Sequence, residues 1–254
     1  MLRISNVTGL MILALFITTF LPWDFYGHNA RASENESTPA GEVVVLLHGL
    51  ARGKGSMKPL EKSLSCQGFE VVNIGYPSRK FSIEELAKNV SDQLDALSVW
   101  NAPKVHFVTH SMGGIVVRAM FAQSHPKNLG RVVMLCPPNQ GSEVVDQLGG
   151  NPLFAALNGP AGRQLGTGPD SLPNRLGPVD YEVGVLAGTL SINPLFSKWL
   201  IGADDGKVAV ERAKVDGMAD FMVLPYSHTF FMKKGRVKAR VVSFLRTGQF
   251  APGE

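Results

Sequence analysis

The sequence is poor in the residues from which metal and redox sites are usually built. Its 254 residues include only two cysteines, Cys66 and Cys136, and six histidines. It contains no Cys-x-x-Cys pair, no His-Glu-x-x-His run and no calcium-loop spacing of carboxylates. We therefore expect no metal and no cofactor. The cysteines lie on elements with different neighbours, so we expect two small buried side chains without a disulfide.

Charge is also sparse. Charged residues make up 18% of the chain, and the formal net charge is only +4. Many cations lie between residues 233 and 246, on or beside the last predicted helix, with no aromatic interleaving or nucleic-acid reading motif. This pattern is typical of a solvated helix face, so we expect no nucleic-acid partner. The length fits one domain with a full core, or two small ones, and the 44% apolar content is ordinary for a globular protein.

Long hydrophobic runs are missing except near the N-terminus. Arg3 precedes a mostly apolar run over residues 10–21, and Ala30 and Ala32 are small residues at the positions that a signal peptidase reads. The run is short for a membrane span of about twenty residues. We predict an export signal over residues 1–32, cleaved near Ala32, and a flexible segment over residues 33–41. Export would be to the periplasm or the medium; an uncleaved membrane anchor is the alternative.

The strongest motif lies in residues 104–118, which read as a strand, a sharp turn carrying Ser111 and a helix. Such a turn strains the serine backbone and holds its hydroxyl out at the end of a sheet, provided that nearby residues are small. Gly113 meets that need, and Gly114 lets the helix approach the strand. Thr109 departs from the commoner pattern, which has glycine there.

A second buried strand over residues 42–47 ends in His48-Gly49-Leu50. Acyl transfer through a serine needs backbone N–H groups that stabilise the oxyanion of the transition state. One N–H would come from Met112, the residue after the serine. The other would come from the loop after the earlier strand, from Leu50 or Ala51.

A serine nucleophile also needs a general base. Five of the six histidines have other expected roles, because they lie in the export signal, within a strand, in the oxyanion loop, inside the elbow or at a helix end. His228 remains, on a loop after a short apolar strand and before a basic helix. Asp204 and Asp205, in a turn before Gly206, are the rival carboxylates that could orient it.

Together, Leu-His-Gly-Leu at 47–50, Thr-His-Ser-Met-Gly at 109–113, Asp-Asp-Gly-Lys-Val at 204–208 and Ser-His at 227–228 resemble the α/β-hydrolase superfamily, and especially its bacterial lipases and esterases. The resemblance covers about residues 42–246. It favours Asp205 as the acid and implies a catalytic set of Ser111, Asp205 and His228. Some of these lipases carry a calcium-binding Asp shortly after the histidine, which Thr-Phe-Phe-Met at 229–232 lacks here.

Strand and helix patterns alternate through the middle of the chain, which predicts an α/β fold. We expect a single α/β-hydrolase domain over residues 42–250, with a mostly parallel sheet of about six strands and helices on both faces. Ser82 and Glu85 form a predicted capping box before a helix with one apolar stripe.

The pattern breaks over residues 137–178, which are rich in glycine and proline and predict a lid-like insertion. Residues 151–157 could form one short helix above the site. The candidates for an apolar substrate lining are Leu153, Phe154 and Leu157, with Leu195, Phe196 and Trp199 as further candidates. The alternative is that these side chains only anchor a meandering loop to the core.

These features predict an exported serine hydrolase that cleaves carboxylic esters through an acyl-enzyme. We expect a small-molecule or lipid ester as its substrate and transient contact with a membrane surface, while the sequence leaves the oligomeric state open. An acyltransferase or a thioesterase with the same catalytic set is an alternative. A non-catalytic binding module of the same fold is another, because fold alone does not establish activity.

Overall fold

The computed structural model describes residues 41–251 of the chain. The predicted export signal and nearly all of the predicted flexible segment lie outside the described residues. Among residues 41–251, no helix is both long enough and apolar enough to cross a bilayer.

A six-stranded sheet forms the centre of the fold. Its strands are β1 (Val43–Leu47), β2 (Glu70–Ile74), β3 (Val105–His110), β4 (Leu129–Leu135), β5 (Val183–Gly188) and β6 (Asp220–Leu224). They lie in the order β2-β1-β3-β4-β5-β6, and every neighbouring pair is parallel. The predicted parallel sheet is confirmed.

Helices cover both faces of the sheet. They are α1 (Lys58–Ser65), α2 (Ile83–Ala96), α3 (Met112–Met120), α4 (Glu143–Leu148), α5 (Pro152–Arg163), α6 (Leu172–Arg175), α7 (Pro194–Ser197), α8 (Val210–Ala213) and α9 (Gly235–Thr247). Short 3-10 helices span Lys54–Met57, Val99–Asn101 and His228–Lys233.

The alternation of side chains along β1 explains the two layers. Val43, Val45 and Leu47 join the core that packs under α2 and α3. Val44 and Leu46 point to the other face, where α1 and α9 pack. A parallel sheet that is buried on both faces requires such continuous apolar strands.

The predicted capping box is confirmed at the start of α2. The Ser82 side chain accepts from the Glu85 N–H, and the Glu85 carboxylate accepts from the Ser82 N–H. These bonds satisfy two N–H groups that the first helical turn leaves without partners. The predicted apolar stripe of α2 faces the core.

Residues 137–178 contain three helices, α4, α5 and α6, so the segment has more regular structure than its composition predicts. The short helix predicted over residues 151–157 is present within α5, which extends to Arg163. Gly159 kinks α5 with a φ of 67°. A β-carbon there would overlap the Arg79 carbonyl, so only glycine fits this close approach.

Because all strands are parallel, their carboxyl ends meet at one edge of the sheet, where ligands bind in open α/β folds. His48 follows β1, Ser111 follows β3, Cys136 follows β4 and His228 lies on the loop after β6. Asp205 lies on the long connection after β5.

Candidate active site

Ser111 lies in the strained turn between β3 and α3. Its φ is 55° and its ψ is −126°, a conformation that non-glycine residues rarely adopt. Its N–H donates to the Leu135 carbonyl at 2.8 Å, which ties the turn to β4. A β-carbon on Gly113 would lie 2.8 Å from the Leu47 oxygen and 2.9 Å from the His48 oxygen. A side chain at position 113 would therefore push α3 away from the end of β1.

The departure at Thr109 has a local explanation. Its side chain is fully buried, and a β-carbon on Gly114 would lie 3.3 Å from Thr109 Oγ1. Because Gly114 has no side chain, the Thr109 hydroxyl can lie beside α3 without a steric clash.

The structure brings Asp205 and His228 together. His228 Nδ1–H donates to Asp205 Oδ2 at 2.8 Å, and the His228 backbone N–H donates to the Asp205 carbonyl at 3.0 Å. The His228 and Asp205 side chains are only 5% and 1% exposed. The arrangement places the proton on Nδ1 and leaves Nε2 as the basic nitrogen. Within residues 41–251, Nε2 has no hydrogen-bond partner.

The two candidate aspartates have different surroundings. Asp205 Oδ1 accepts from the N–H groups of Lys207 and Val208, so backbone donors fix the carboxylate while Oδ2 faces His228. Asp204 Oδ1 accepts from the Gly206 N–H and the Ser197 hydroxyl. Asp204 therefore stabilises the turn, whereas Asp205 contacts the histidine.

Ser111 and His228 are not hydrogen-bonded to each other in the described part of the chain. In serine hydrolases, the hydrogen bond between the nucleophile and the base often tightens only when substrate binds.

The loop of residues 48–52, which we call the oxyanion loop, lies against the serine. A β-carbon on Gly49 would lie 3.0 Å from Ser111 Cβ. Within the described chain, neither the Leu50 N–H nor the Met112 N–H donates to a backbone carbonyl. Met112 also begins α3, where the helix dipole favours negative charge. Both N–H groups are therefore without a backbone acceptor in the part of the chain that the structure describes.

The sequence reasoning missed two neighbours of this pair. His110 lies inside the elbow as expected; its Nε2–H also donates to the His228 carbonyl at 3.0 Å, and the centres of the two rings lie 4.8 Å apart. Burial lowers the pKa of His110 well below its usual range, and the charge of His228 lowers it further. His110 is therefore a neutral support for the His228 loop.

Cys136 is the other missed neighbour. It is buried, and a ligand atom from each of Cys136, Asp205 and His228 lies within 4.8 Å of the other two. Burial raises the pKa of the Cys136 thiol, and the Asp205 charge raises it further, so the sulfur is a protonated donor beside the carboxylate. No local sequence pattern marks this position, because the contact with Asp205 depends on the order of the strands in the sheet.

The expectation for the cysteines is correct only in part. Both are free, and Cys136 is buried as expected. Cys66, however, is exposed, so the prediction that it is buried is wrong. The reason is its place at the C-terminal end of α1, beyond the last residue that packs on the sheet.

The candidate lining residues differ in exposure. Phe154 is buried, Leu157 is half-buried and Leu153 is 40% exposed. On α7 and just after it, Phe196 is buried and stacks on Trp199, while Leu195 is half-buried. Helix α5 reaches the oxyanion loop, since a β-carbon on Gly162 would lie 3.1 Å from Leu50 Cδ2.

Comparison with known proteins relates this geometry to a known fold. Residues 43–168, slightly less than half of the chain, match the family described as Palmitoyl protein thioesterase. Comparison with curated proteins finds no match.

Several solved structures share the architecture. The mature lipase BlEst2 of Bacillus licheniformis is 18% identical with a TM-score of 0.62, covering 85% of this chain and 96% of that one. A thermophilic esterase from Thermogutta terrifontis is 16% identical with a TM-score of 0.54, covering 83% and 92%. Phospholipase PlaB from Legionella pneumophila is 19% identical with a TM-score of 0.55; the match covers 68% of this chain but only 45% of that one. The chain therefore has the α/β-hydrolase fold of the lipases and esterases.

Proposed function

We propose that the protein is a serine hydrolase that cleaves acyl esters through a covalent acyl-enzyme, with Ser111, His228 and Asp205 as its catalytic residues. The observation that carries this proposal is the buried 2.8 Å bond from His228 Nδ1 to Asp205 Oδ2, at the same sheet edge as the strained Ser111. A histidine held in this tautomer presents a basic nitrogen to a serine hydroxyl.

In the first half of the reaction, Ser111 Oγ attacks the carbonyl carbon of the substrate while His228 Nε2 takes its proton. The electron pair of the C=O bond moves onto oxygen, which becomes the oxyanion. Asp205 holds the imidazole and stabilises its positive charge without taking the proton. When the tetrahedral intermediate collapses, the alcohol leaves with the proton from His228, and Ser111 carries the acyl group.

The Leu50 and Met112 N–H groups stabilise the oxyanion. Loss of one such donor in a serine hydrolase costs about 10²- to 10³-fold in turnover. In the second half of the reaction, water gives a proton to His228 and attacks the acyl carbonyl. The acid product leaves, and the proton returns to Ser111.

An apolar acyl group suits the surroundings of the site. Leu153, Phe154 and Leu157 lie on α5, whose later part contacts Leu50, and we propose that they line the acyl pocket. The lid-like role of residues 137–178 is part of the same proposal. Lipid or medium-chain esters are the proposed substrates.

A thioesterase is the second candidate, and the match to the Palmitoyl protein thioesterase family favours it. The same catalytic residues serve both reactions, since only the leaving atom changes from oxygen to sulfur. The palmitoyl group appears in the name of the matched family. For this chain, we propose only that the substrate is an acyl thioester.

The test combines a fluorophosphonate probe with a substrate panel. We expect the probe to label the wild type at Ser111 and to leave Ser111→Ala unlabelled. p-Nitrophenyl esters of increasing chain length would measure the depth of the pocket, and acyl thioesters of matched length would give the preference between oxygen and sulfur. A folded wild type that neither reacts with the probe nor cleaves any of these compounds would instead support a non-catalytic module. Faster acyl transfer to an added alcohol than to water would support an acyltransferase.

We further propose that the enzyme is exported and touches a lipid surface through residues 189–201. This segment precedes the Asp205 turn and exposes three large apolar side chains, Leu190 at 51%, Ile192 at 52% and Ile201 at 69%. Exposed apolar residues near a site are typical of lipid or protein contact. Intact-mass measurement of the exported protein would show whether residues 1–32 are removed, and a vesicle flotation assay would test the surface contact.

A further inference from the structure

The oxyanion loop is held from the side by Tyr76, which lies just after β2. The imidazole of His48 stacks on the ring of Tyr76, with ring centres 4.1 Å apart and planes 8° from parallel. The Tyr76 N–H donates to His48 Nε2 at 3.4 Å, and the Tyr76 hydroxyl donates to the His48 carbonyl. Tyr76 therefore contacts both the ring and the backbone of His48.

His48 in turn fixes the next peptide group. Its Nδ1–H donates to the Gly49 carbonyl at 2.9 Å, and the Arg52 N–H donates to the same oxygen at 3.3 Å. A trans peptide is planar, and its N–H points away from its C=O. Because the Gly49 carbonyl and the Leu50 N–H belong to one peptide, the bonds to this carbonyl also set the direction of the Leu50 N–H.

The protonation states suit this arrangement. Burial lowers the pKa of His48, which favours the neutral ring that donates from Nδ1 and accepts at Nε2. Burial raises the pKa of Tyr76 far above its usual range, so its hydroxyl stays a neutral donor. Both side chains are buried within the fold.

We propose that Tyr76 is a positioning residue that holds the Leu50 N–H in place through His48, so that the oxyanion loop is ready before substrate arrives. The inference rests on the proposed function in one respect, namely that an oxyanion forms beside Leu50. It adds a residue that no sequence motif marked. Preorganised donors contribute most to transition-state stabilisation because they do not have to reorient during the reaction.

Tyr76→Phe tests the proposal, since it removes only the hydroxyl that holds the His48 carbonyl. Tyr181→Phe is the matched control, because Tyr181 is also largely buried but its hydroxyl has no partner within the described residues. We expect Tyr76→Phe to lower kcat by about 10- to 100-fold, with KM changed less than about twofold, because the loop acts on the transition state. Tyr181→Phe should leave both within about twofold of the wild type.

A readout that does not need turnover separates this inference from the proposed function. In hydrogen-exchange measurements on the full chain, Tyr76→Phe should speed exchange in the peptide that contains residues 48–52, and Tyr181→Phe should not. If the wild type proves inactive but this exchange effect appears, the proposed function fails while the positioning role stands.

If Tyr76→Phe fails to fold, His48→Asn serves instead, because it removes the stacked ring and keeps a short donor, and the same loss of kcat is expected. Unchanged kcat and unchanged exchange in the folded variant would overturn the proposal, as would equal effects in Tyr76→Phe and Tyr181→Phe.

Discussion

Two buried histidine–carboxylate pairs lie at opposite ends of the same sheet, and they differ in what the second ring nitrogen does. At the amino end, His106 Nε2–H donates to Glu42 Oε2 at 3.3 Å, while Nδ1 accepts from the Arg131 N–H at 2.8 Å. At the carboxyl end, His228 Nδ1–H donates to Asp205, and Nε2 has no partner within residues 41–251.

A buried histidine beside a carboxylate is therefore not by itself a sign of catalysis. Both nitrogens of His106 are satisfied within the fold, so its pair can only join β1, β3 and β4. His228 keeps one ring nitrogen without a partner among the described residues, and Ser111 at the same edge carries the hydroxyl on which we propose that it acts. The two pairs therefore differ in one respect. The His228 ring has a nitrogen that can still accept a hydrogen bond, and it lies at the edge of the sheet where ligands bind in such folds.

The largest expected effect is the loss of kcat when His228 is replaced, and replacement of His106 is the matched control. His228→Ala should reduce kcat by about 10⁴-fold or more, because the base is lost. His106→Asn, which keeps an acceptor near the position of Nδ1, should leave kcat within about twofold of the wild type. Steady-state kinetics on a p-nitrophenyl ester, with circular dichroism to confirm folding, would measure both. Comparable losses of kcat in two folded variants would contradict the distinction between the pairs.

Replacing the carboxylate of each pair should give the same contrast in kcat, with a somewhat smaller loss than for His228. Asp205→Asn should lower kcat by about 10³- to 10⁴-fold, because the amide no longer holds the imidazole in the correct tautomer. Glu42→Gln keeps an acceptor for His106 and should leave kcat unchanged. Asp204→Asn is the closest control, since among the described residues that carboxylate accepts from the Gly206 N–H and the Ser197 hydroxyl rather than from His228. If Asp204→Asn is the damaging change, the acid is wrongly assigned.

Much of the fold follows from local sequence patterns. The continuous apolar run of β1 predicts a strand buried on both faces, and Ser82 with Glu85 predicts the start of α2; the structure bears out both. These features depend on residues that are close together in the chain, so they can be predicted from a single sequence.

Contacts between distant segments could not be obtained in this way. The bond from His110 to His228 joins residues 118 positions apart, and the Cys136 thiol meets Asp205 only because β4 and β5 are adjacent. Tyr76 reaches His48 because β2 pairs with β1 at the edge of the sheet. Such contacts depend on strand order, which periodicity does not encode. The choice between Asp204 and Asp205 depends on which carboxylate faces His228, because both also accept from N–H groups of their own turn.

The smallest effect concerns stability in acid, where His106 should matter although it takes no part in the reaction. Burial lowers the pKa of His106 below 6.5; the Glu42 charge opposes this shift, while Lys104 and Arg131 add to it. The unfolded chain therefore binds the proton more readily, and the free energy of unfolding should fall as the pH drops from 6.5 through the folded-state pKa. One such group contributes at most about 1.4 kcal/mol per pH unit in that range.

Urea unfolding of the wild type and of His106→Asn at a series of pH values would measure this contribution. The pKa values of His48 and His110 are lowered by burial as well, so the wild type should lose stability through several histidines, and the variant should lose less per pH unit. Because the variant lacks only the group at the amino end of the sheet, its kcat should follow the same pH profile as that of the wild type. A variant whose kcat followed a different pH profile would link His106 to the site at the other end, and the separation of the two pairs would then be wrong.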